Sequence, residues 1–218
     1  GILLFTKIHK KNDLFIKFLS NTDEIITGIV YGGLSKKKRN ILQIGFYLNF
    51  EVYSKNNRPS SINAELSQPY FSNIINNKYK LNCLICVTTL INLSIIEGQK
   101  INYIYTTLDN FLIKMYSNKK WFKEYCIFLF SLLKIIGYEI DYLTFKNYKY
   151  FDLEKLEFSK HKSNETVLFP HKLLSTDNIK IDIDQVIEIF NIFEKVFINH
   201  HLSNFNLSLP NHYHLFKK

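Results

Sequence analysis

The chain has 218 residues, of which 46% are hydrophobic and 16% aromatic, so it contains enough apolar material for a sizeable core. Its 22% charged fraction is ordinary for a globular protein, and no apolar run reaches the roughly 18 residues of a membrane span. The net charge of +9 favours polyanionic partners, nucleic acid first and anionic membrane second. An A/T-rich genome that inflates lysine is the alternative explanation, since arginine occurs only as Arg39 and Arg58.

The first 70 residues alternate between short apolar segments and turn residues. Five segments have the alternation of half-buried strands, at 2–9, 14–19, 24–31, 46–53 and 62–68. No helix among them is long enough to cover a flat sheet. The pattern therefore predicts a small closed barrel, and residues 1–70 are interpreted as an OB-fold nucleic-acid-binding domain.

From Tyr70 onward, the apolar spacing is that of helices. Segments at 80–97, 101–115 and 121–136 each carry an apolar face, and Gly137 is placed to end the last of them. Residues 71–143 are predicted to form a helical domain, which makes the fold class α+β.

The last third, residues 144–218, has weaker periodicity. Residues 146–180 indicate a small irregular or two-stranded region. A helix opened by Asp182 or Asp184 is expected to pack on the helical domain, and Pro210 is placed to start a short terminal helix.

A basic run follows the third predicted strand. Lys36, Lys37, Lys38 and Arg39 come directly after Gly32 and Gly33, a combination that provides charged donors on a flexible loop that can approach a phosphate backbone. Further basic residues lie in the same domain, and we include them in the predicted DNA-binding set: Lys7, Lys10, Lys11, Lys55 and Arg58. The alternative is a solvated loop without a ligand.

Four aromatic residues of the barrel have two interpretations. Tyr31, Phe46, Tyr47 and Tyr53 could stack on bases, as aromatic residues of single-strand-binding OB-folds do. Interior positions alternate with exterior ones on every strand, so barrel core is the more common role for such residues.

The cysteines and histidines do not form a recognisable metal site. Cys83 and Cys86 have the spacing of a zinc knuckle, but they lie in an apolar helix and no second cysteine pair exists. With Cys126 they number three, which favours a reducing compartment, and we expect a cytoplasmic protein. We expect no structural zinc and no cofactor.

Gly1 is not an initiator methionine, so residues are expected to precede it.

Catalytic motifs are lacking: the sequence has no G-x-S-x-G, Walker A or H-E-x-x-H pattern. We therefore expect a protein that is not an enzyme. The alternative from another class is a divergent metal-dependent enzyme that uses histidines near the C-terminus, namely His200, His201, His212 or His214.

Several stretches resemble the RecO family of bacterial recombination mediators. They are "GILLFTKIHKKNDLFIKFLS", "GIVYGGLSKKKRNILQIGFYLNFEV", "YCIFLFSLLKIIGYEIDY" and "FEKVFINHHLSNFNLSLP", in the family's order and spacing. The resemblance implies an OB-fold, a helical domain and a small C-terminal region. It also implies a role without catalysis: binding single- and double-stranded DNA, annealing strands, and acting with RecR to load RecA onto DNA covered by single-stranded DNA-binding protein (SSB).

The resemblance also bears on a partner site and on zinc. In this family the helical domain receives the acidic tail of SSB, so Lys119, Lys120 and Lys123 are the candidate residues for that contact. Many members have an arginine where this chain has Tyr31, a glutamate near Leu129, and a cysteine of a four-cysteine zinc site near Phe145; no cysteine follows Cys126 here. An OB-fold protein that binds RNA or tRNA remains the alternative among binding proteins.

Overall fold

The computed structural model describes residues 1–55, 58–68, 74, 76–117, 120–175, 182–203 and 207–217. The chain divides into two compact units, Gly1–Leu112 and Ile113–Lys218. The boundary between them lies within one helix, Ile104–Ser117. The three-part division proposed above, at 1–70, 71–143 and 144–218, stays a prediction.

Five strands form the first part of the first unit. They are β1 (Ile2–Lys10), β2 (Asp13–Leu19), β3 (Ile25–Val30), β4 (Tyr47–Lys55) and β5 (Arg58–Gln68). They close into a barrel in the order β1-β2-β3-β5-β4, and each neighbouring pair is antiparallel except β3 with β5. A closed barrel of five short strands followed by helices confirms the predicted α+β fold with an N-terminal OB-fold.

The alternation of core residues is clearest on the second strand of the barrel. On β2 these are Leu14, Ile16 and Phe18, which pack against Val30 of β3 and Leu48 of β4. Because side chains alternate across a strand, the residues between them face outward. This division into two faces decides which side chains of the barrel are available to a ligand.

The basic run after β3 is a helix, α1 (Lys36–Ile41), and not the loop that the sequence predicted. Its apolar flanking residues explain the difference. Leu34 and Ile41 pack against the barrel core, and Leu42 belongs to it, so this end of the barrel is closed by a turn of helix whose charged residues are left outside.

Two longer helices begin in the first unit. α2 (Lys78–Ser94) starts at Asn77, whose side chain accepts hydrogen bonds from the backbone N–H groups of Tyr79 and Lys80, and it contacts β1. α3 (Ile104–Ser117) is anchored to the barrel by Asp23, whose two carboxylate oxygens accept from the N–H groups of Tyr103 and Tyr105 at 2.9 Å each.

The second unit contains α4 (Trp121–Ile135) and a small sheet of strands β6 (Tyr150–Asp152), β7 (Glu157–Ser159) and β8 (Thr166–Leu168) in the order β7-β6-β8. Gly137, at φ +96°, follows the end of α4 as predicted. The sheet has three strands where the sequence indicated two or irregular structure. Strands of three residues are too short for their alternation to be recognised.

Helices make up the rest of the second unit. α5 (His171–Ser175) follows the sheet, and α6 (Ile183–Val196) begins at the cap Asp182 and contacts α4. A π-helical turn, Phe197–Leu202, continues α6, and α7 (Asn211–His214) begins after Pro210, before a final 3-10 turn at Leu215–Lys217. Within the described ranges, no helix combines the length and the apolar character needed to cross a membrane.

Candidate nucleic-acid interface

Two glycines form a fixed turn at the entry to α1. Gly32 has φ +63°, a left-handed conformation that favours glycine, and its N–H donates to the Asp13 carboxylate at 2.9 Å. Gly33 is buried, and a Cβ there would lie 3.0 Å from both the Leu14 Cβ and the Val30 carbonyl oxygen. Both were predicted to give a loop the flexibility to follow DNA. In the structure they allow a tight, hydrogen-bonded turn, and Gly33 is not accessible.

The four basic residues of α1 are not equivalent. Lys36, Lys37 and Arg39 are exposed, whereas Lys38 is half-buried and its ammonium group donates to the Tyr31 carbonyl oxygen at 2.9 Å. Three positive charges therefore project from one short helix into solvent. The fourth also holds the helix against the end of β3.

The other basic residues predicted for the interface lie on or near β1 and in the turns. Lys7 and Lys10 are exposed on β1, and Lys11 is exposed in the turn that joins β1 to β2. Lys55 ends β4 and Arg58 begins β5, but their side chains lie outside the described part of the structure.

Lys7 and Arg39 line the same cavity. It has a volume of about 640 Å³ and lies within the first unit, where β1, α1 and α2 meet. Gln43 is also part of its wall, and aliphatic side chains such as Leu84 form most of the remainder. None of the described residues that line the cavity is acidic. The fold thus brings two of the predicted DNA-binding residues, far apart in sequence, to one surface.

The four aromatic residues considered for stacking divide into two pairs. Tyr31 and Tyr53 are exposed, at 57% and 54%. Phe46 packs against the barrel core, and Tyr47 is buried with its hydroxyl group donating to Asp109 at 2.6 Å. Core packing is therefore the correct interpretation for the second pair.

The outward side of β4 and β5 carries the opposite charge. Cross-strand pairs on this side are Asn49 with Glu65 and Glu51 with Asn63, and all four side chains are exposed. The Tyr53 hydroxyl donates to Glu51 at 2.6 Å, and that hydrogen bond raises the pKa of Tyr53. This side is therefore less favourable for a polyanion than the surface formed by β1, β2 and α1.

Sequence reasoning missed three residues on that surface. Phe5, Phe15 and Lys17 lie on the outward side of β1 and β2, next to Lys7. The available signal was the repeated aromatic-x-lysine pattern, Phe5-x-Lys7 and Phe15-x-Lys17. Recognising it required knowing which half of each strand faces the core.

The candidate partner residues lie at the start of α4 in the second unit. Lys120 is exposed and precedes the helix, Lys123 is half-buried in its first turn, and Lys119 lies outside the described residues. Trp121 and Phe122 lie between the two lysines in sequence, and both contact the ring of Phe216. The ring centroids of Trp121 and Phe122 lie 6.5 and 5.9 Å from that of Phe216. Cationic and aromatic side chains therefore occur together at this helix end.

The cysteines are all buried, and burial raises the pKa of the Cys126 thiol to about 12. His200 contacts the Leu153 carbonyl oxygen through Nε2 at 3.1 Å, and the ring of His201 packs on Phe197. Among the residues that the structure describes, no three histidine, cysteine or acidic side chains lie in an arrangement that could hold a metal ion.

The barrel, its basic α1 and the acidic residues on β4 and β5 define an OB-fold protein with one face suited to a polyanion. No known family model matches the chain. A curated protein, DNA repair protein RecO of Rickettsia canadensis (strain McKiel), is 27% identical over 215 residues, which cover 92% of this chain and 88% of that protein. The match confirms the resemblance to the RecO family and extends it over nearly the full length of both chains.

Proposed function

We propose that this protein is a DNA-binding recombination mediator that acts in DNA repair and catalyses no reaction of its own. The observation that carries the proposal is the cluster of exposed basic residues on α1, with Lys10 and Lys11 of the β1–β2 turn on the same OB barrel. The similarity to a protein named for DNA repair supports the same conclusion. As part of this proposal, the protein acts in the cytoplasm.

The α1 cluster suits contacts to the DNA backbone more than to bases. Lysine and arginine on a surface helix neutralise phosphates and release counterions, which provides affinity for any sequence. Single and double strands both present such phosphates. A protein that neutralises two complementary strands also reduces their mutual repulsion, which is the physical requirement for annealing them.

The test uses fluorescence anisotropy with labelled single-stranded DNA, double-stranded DNA and RNA of one sequence, followed by an assay of strand annealing. We expect both DNA forms to bind, with affinity that falls steeply as salt rises, and complementary strands to anneal faster with protein than without it. A clear preference for RNA over DNA would replace this proposal with an RNA-binding function. Absence of binding to all three would reject it.

The mediator role also requires protein partners. We propose that the protein acts with RecR to help load RecA onto SSB-covered DNA, and that the start of α4 binds the acidic SSB tail. A peptide with carboxylates and a terminal aromatic residue complements Lys120, Lys123 and the neighbouring ring of Trp121. Lys119, which lies outside the described residues, is next to Lys120 in sequence.

This contact has a built-in reporter, because Trp121 is the chain's single tryptophan. Adding the tail peptide at low salt should change the tryptophan emission in a saturable way and release heat in calorimetry. A Lys120→Glu/Lys123→Glu variant should weaken both signals, and a peptide of the same composition in scrambled order serves as the control. Saturable binding that leaves tryptophan emission unchanged, and is unaffected by the variant, would place the peptide elsewhere.

A further inference from the structure

The outward side of the β1–β2–β3 sheet carries side chains that the proposed backbone contacts do not use. In β2, Leu14, Ile16 and Phe18 belong to the barrel core. Phe15 and Lys17 alternate with them and therefore lie on the outward side. The same side of the neighbouring strands determines what surrounds these two residues.

Cross-strand pairing sets an aromatic residue opposite a lysine twice. Lys7 pairs with Phe15, and Phe5 pairs with Lys17. Paired residues lie on the same face of a sheet, and diagonal neighbours are about 7–8 Å apart. The two phenylalanines thus occupy one diagonal of this four-residue patch, and the two lysines occupy the other.

Tyr31 directly follows Val30, the last residue of β3, and its side chain is 57% exposed. The hydrogen bond from the Gly32 N–H to Asp13 holds this end of β3 beside the start of β2. An exposed ring thus lies close to the start of β2, near Phe15 in sequence register, whereas the β3 residue that pairs directly with Phe15 is the buried Ile29.

The rings are available to a ligand. Phe5 and Phe15 are half-buried, with part of each surface open to solvent, and Tyr31 is exposed. None of the ring contacts described for this chain includes any of the three. Lys7 is exposed and Lys17 is half-buried, so each of the two phenylalanines has a lysine as its cross-strand partner.

We infer that Phe5, Phe15 and Tyr31 form a platform on which successive unpaired bases stack, while Lys7 and Lys17 contact the phosphates. Every base has an aromatic face, so stacking requires no particular sequence. Bases of a duplex are stacked on one another and cannot reach the platform. The inference rests on the proposed DNA binding and adds to it a preference for single strands.

The experiment separates the contribution of base stacking to affinity from the contribution of backbone contacts. Full-length protein is titrated with a thymidine oligonucleotide of ~16 nucleotides and with an abasic oligonucleotide of the same length and charge. We expect the base-bearing strand to bind at least about tenfold more tightly, because one stacked base contributes that much. Tyr31→Leu and Phe15→Leu should each reduce this ratio several-fold without changing the salt dependence.

Lys7→Ala is the matched control, because it lies on the same patch. This variant should lower the slope of log affinity against log salt by about 0.7. It should leave unchanged the ratio of the affinities for the base-bearing and abasic oligonucleotides. Equal affinity of the wild type for both oligonucleotides would overturn the platform while the proposed DNA binding stands. Failure of both oligonucleotides to bind would overturn both the stacking platform and the proposed DNA binding. Folding is checked for each variant by thermal denaturation, and Tyr31→Leu, at an exposed position, decides the question if Phe15→Leu is unstable.

Discussion

The outward face of the barrel and the small sheet β7-β6-β8 are both rich in phenylalanine, but they use the rings differently. In the small sheet, Phe151, Phe158 and Phe169 contact one another, with ring centroids 4.9 to 5.8 Å apart. On the barrel, Phe5 and Phe15 alternate with lysine and make none of the ring contacts described. The rings of the small sheet are thus expected to stabilise the fold, whereas the inference above assigns the barrel rings to a ligand.

The rings of the small sheet have further partners. Phe145 stacks on Phe158 with centroids 5.6 Å apart. His171 packs against Phe169 at 4.6 Å. Aromatic contacts therefore connect the small sheet with its flanking residues, and the following variants test whether the two sets of rings differ as described.

The largest effect is expected from Phe151→Ala. The side chain is fully buried, so its loss should lower the free energy of unfolding by about 3–5 kcal/mol. Tyr31→Ala, at an exposed ring of the barrel, should change it by less than about 0.5 kcal/mol. Urea denaturation of both variants measures the difference. Similar losses in the two would contradict the distinction between fold-forming and ligand-facing rings.

A change at Asp23 should have an intermediate effect. Its carboxylate accepts two backbone hydrogen bonds at the start of α3, and losing such a cap costs about 1–2 kcal/mol, so Asp23→Ala should lower the free energy of unfolding by that amount. Asp23→Asn keeps an acceptor and tolerates the φ of +67° there, so it should lose less. Equal losses in the two variants would show that the hydrogen bonds contribute little.

A smaller, pH-dependent effect is expected in the small sheet at Asp152. Its Oδ1 accepts from the Lys155 and Glu154 N–H groups at 3.0 Å each, and these bonds hold its pKa below the usual 3.8. A carboxyl group whose pKa is lowered by folding stabilises the folded state at pH values above its usual pKa. This stabilisation is lost as the pH falls through the lowered pKa. The melting temperature of Asp152→Asn should therefore fall less than that of wild type between about pH 5 and pH 2. Parallel curves would show that the group does not titrate as described.

The smallest effect is expected from metal removal. Because the small sheet is joined by rings, a chelator should leave the melting temperature unchanged. A fall of several degrees that zinc reverses would show that a metal contributes to this region after all.

The barrel could be predicted from sequence because its strands are long enough to alternate several times. β5 was the exception, since Arg58, Pro59 and the following serines have the composition of a turn although they begin the strand. α1 was missed because a helix of six residues, four of them basic, has too few apolar positions to show a period.

The candidate site was predictable in part. The exposure of Lys7, Lys10 and Lys11 follows from turn and strand composition alone. The pairing of Lys7 with Phe15 depends on cross-strand register, which the sequence of either strand does not determine.

The central claim is that the basic side chains of α1 contact the DNA backbone, and the salt dependence of binding tests it directly. A Lys36→Ala/Lys37→Ala/Arg39→Ala variant keeps Lys38, whose ammonium group is bonded to the Tyr31 carbonyl oxygen, and alanine favours the helix. A variant with alanine at three exposed lysines of the second unit, Lys155, Lys162 and Lys195, has the same net charge and serves as the control.

With single-stranded DNA each phosphate contact contributes about 0.7 to the slope of log affinity against log salt, so the α1 variant should flatten the slope by about 2. The control should retain nearly the wild-type slope. If the folded α1 variant instead keeps the wild-type slope and affinity, α1 is a solvated helix without a ligand, and the DNA-binding surface lies elsewhere.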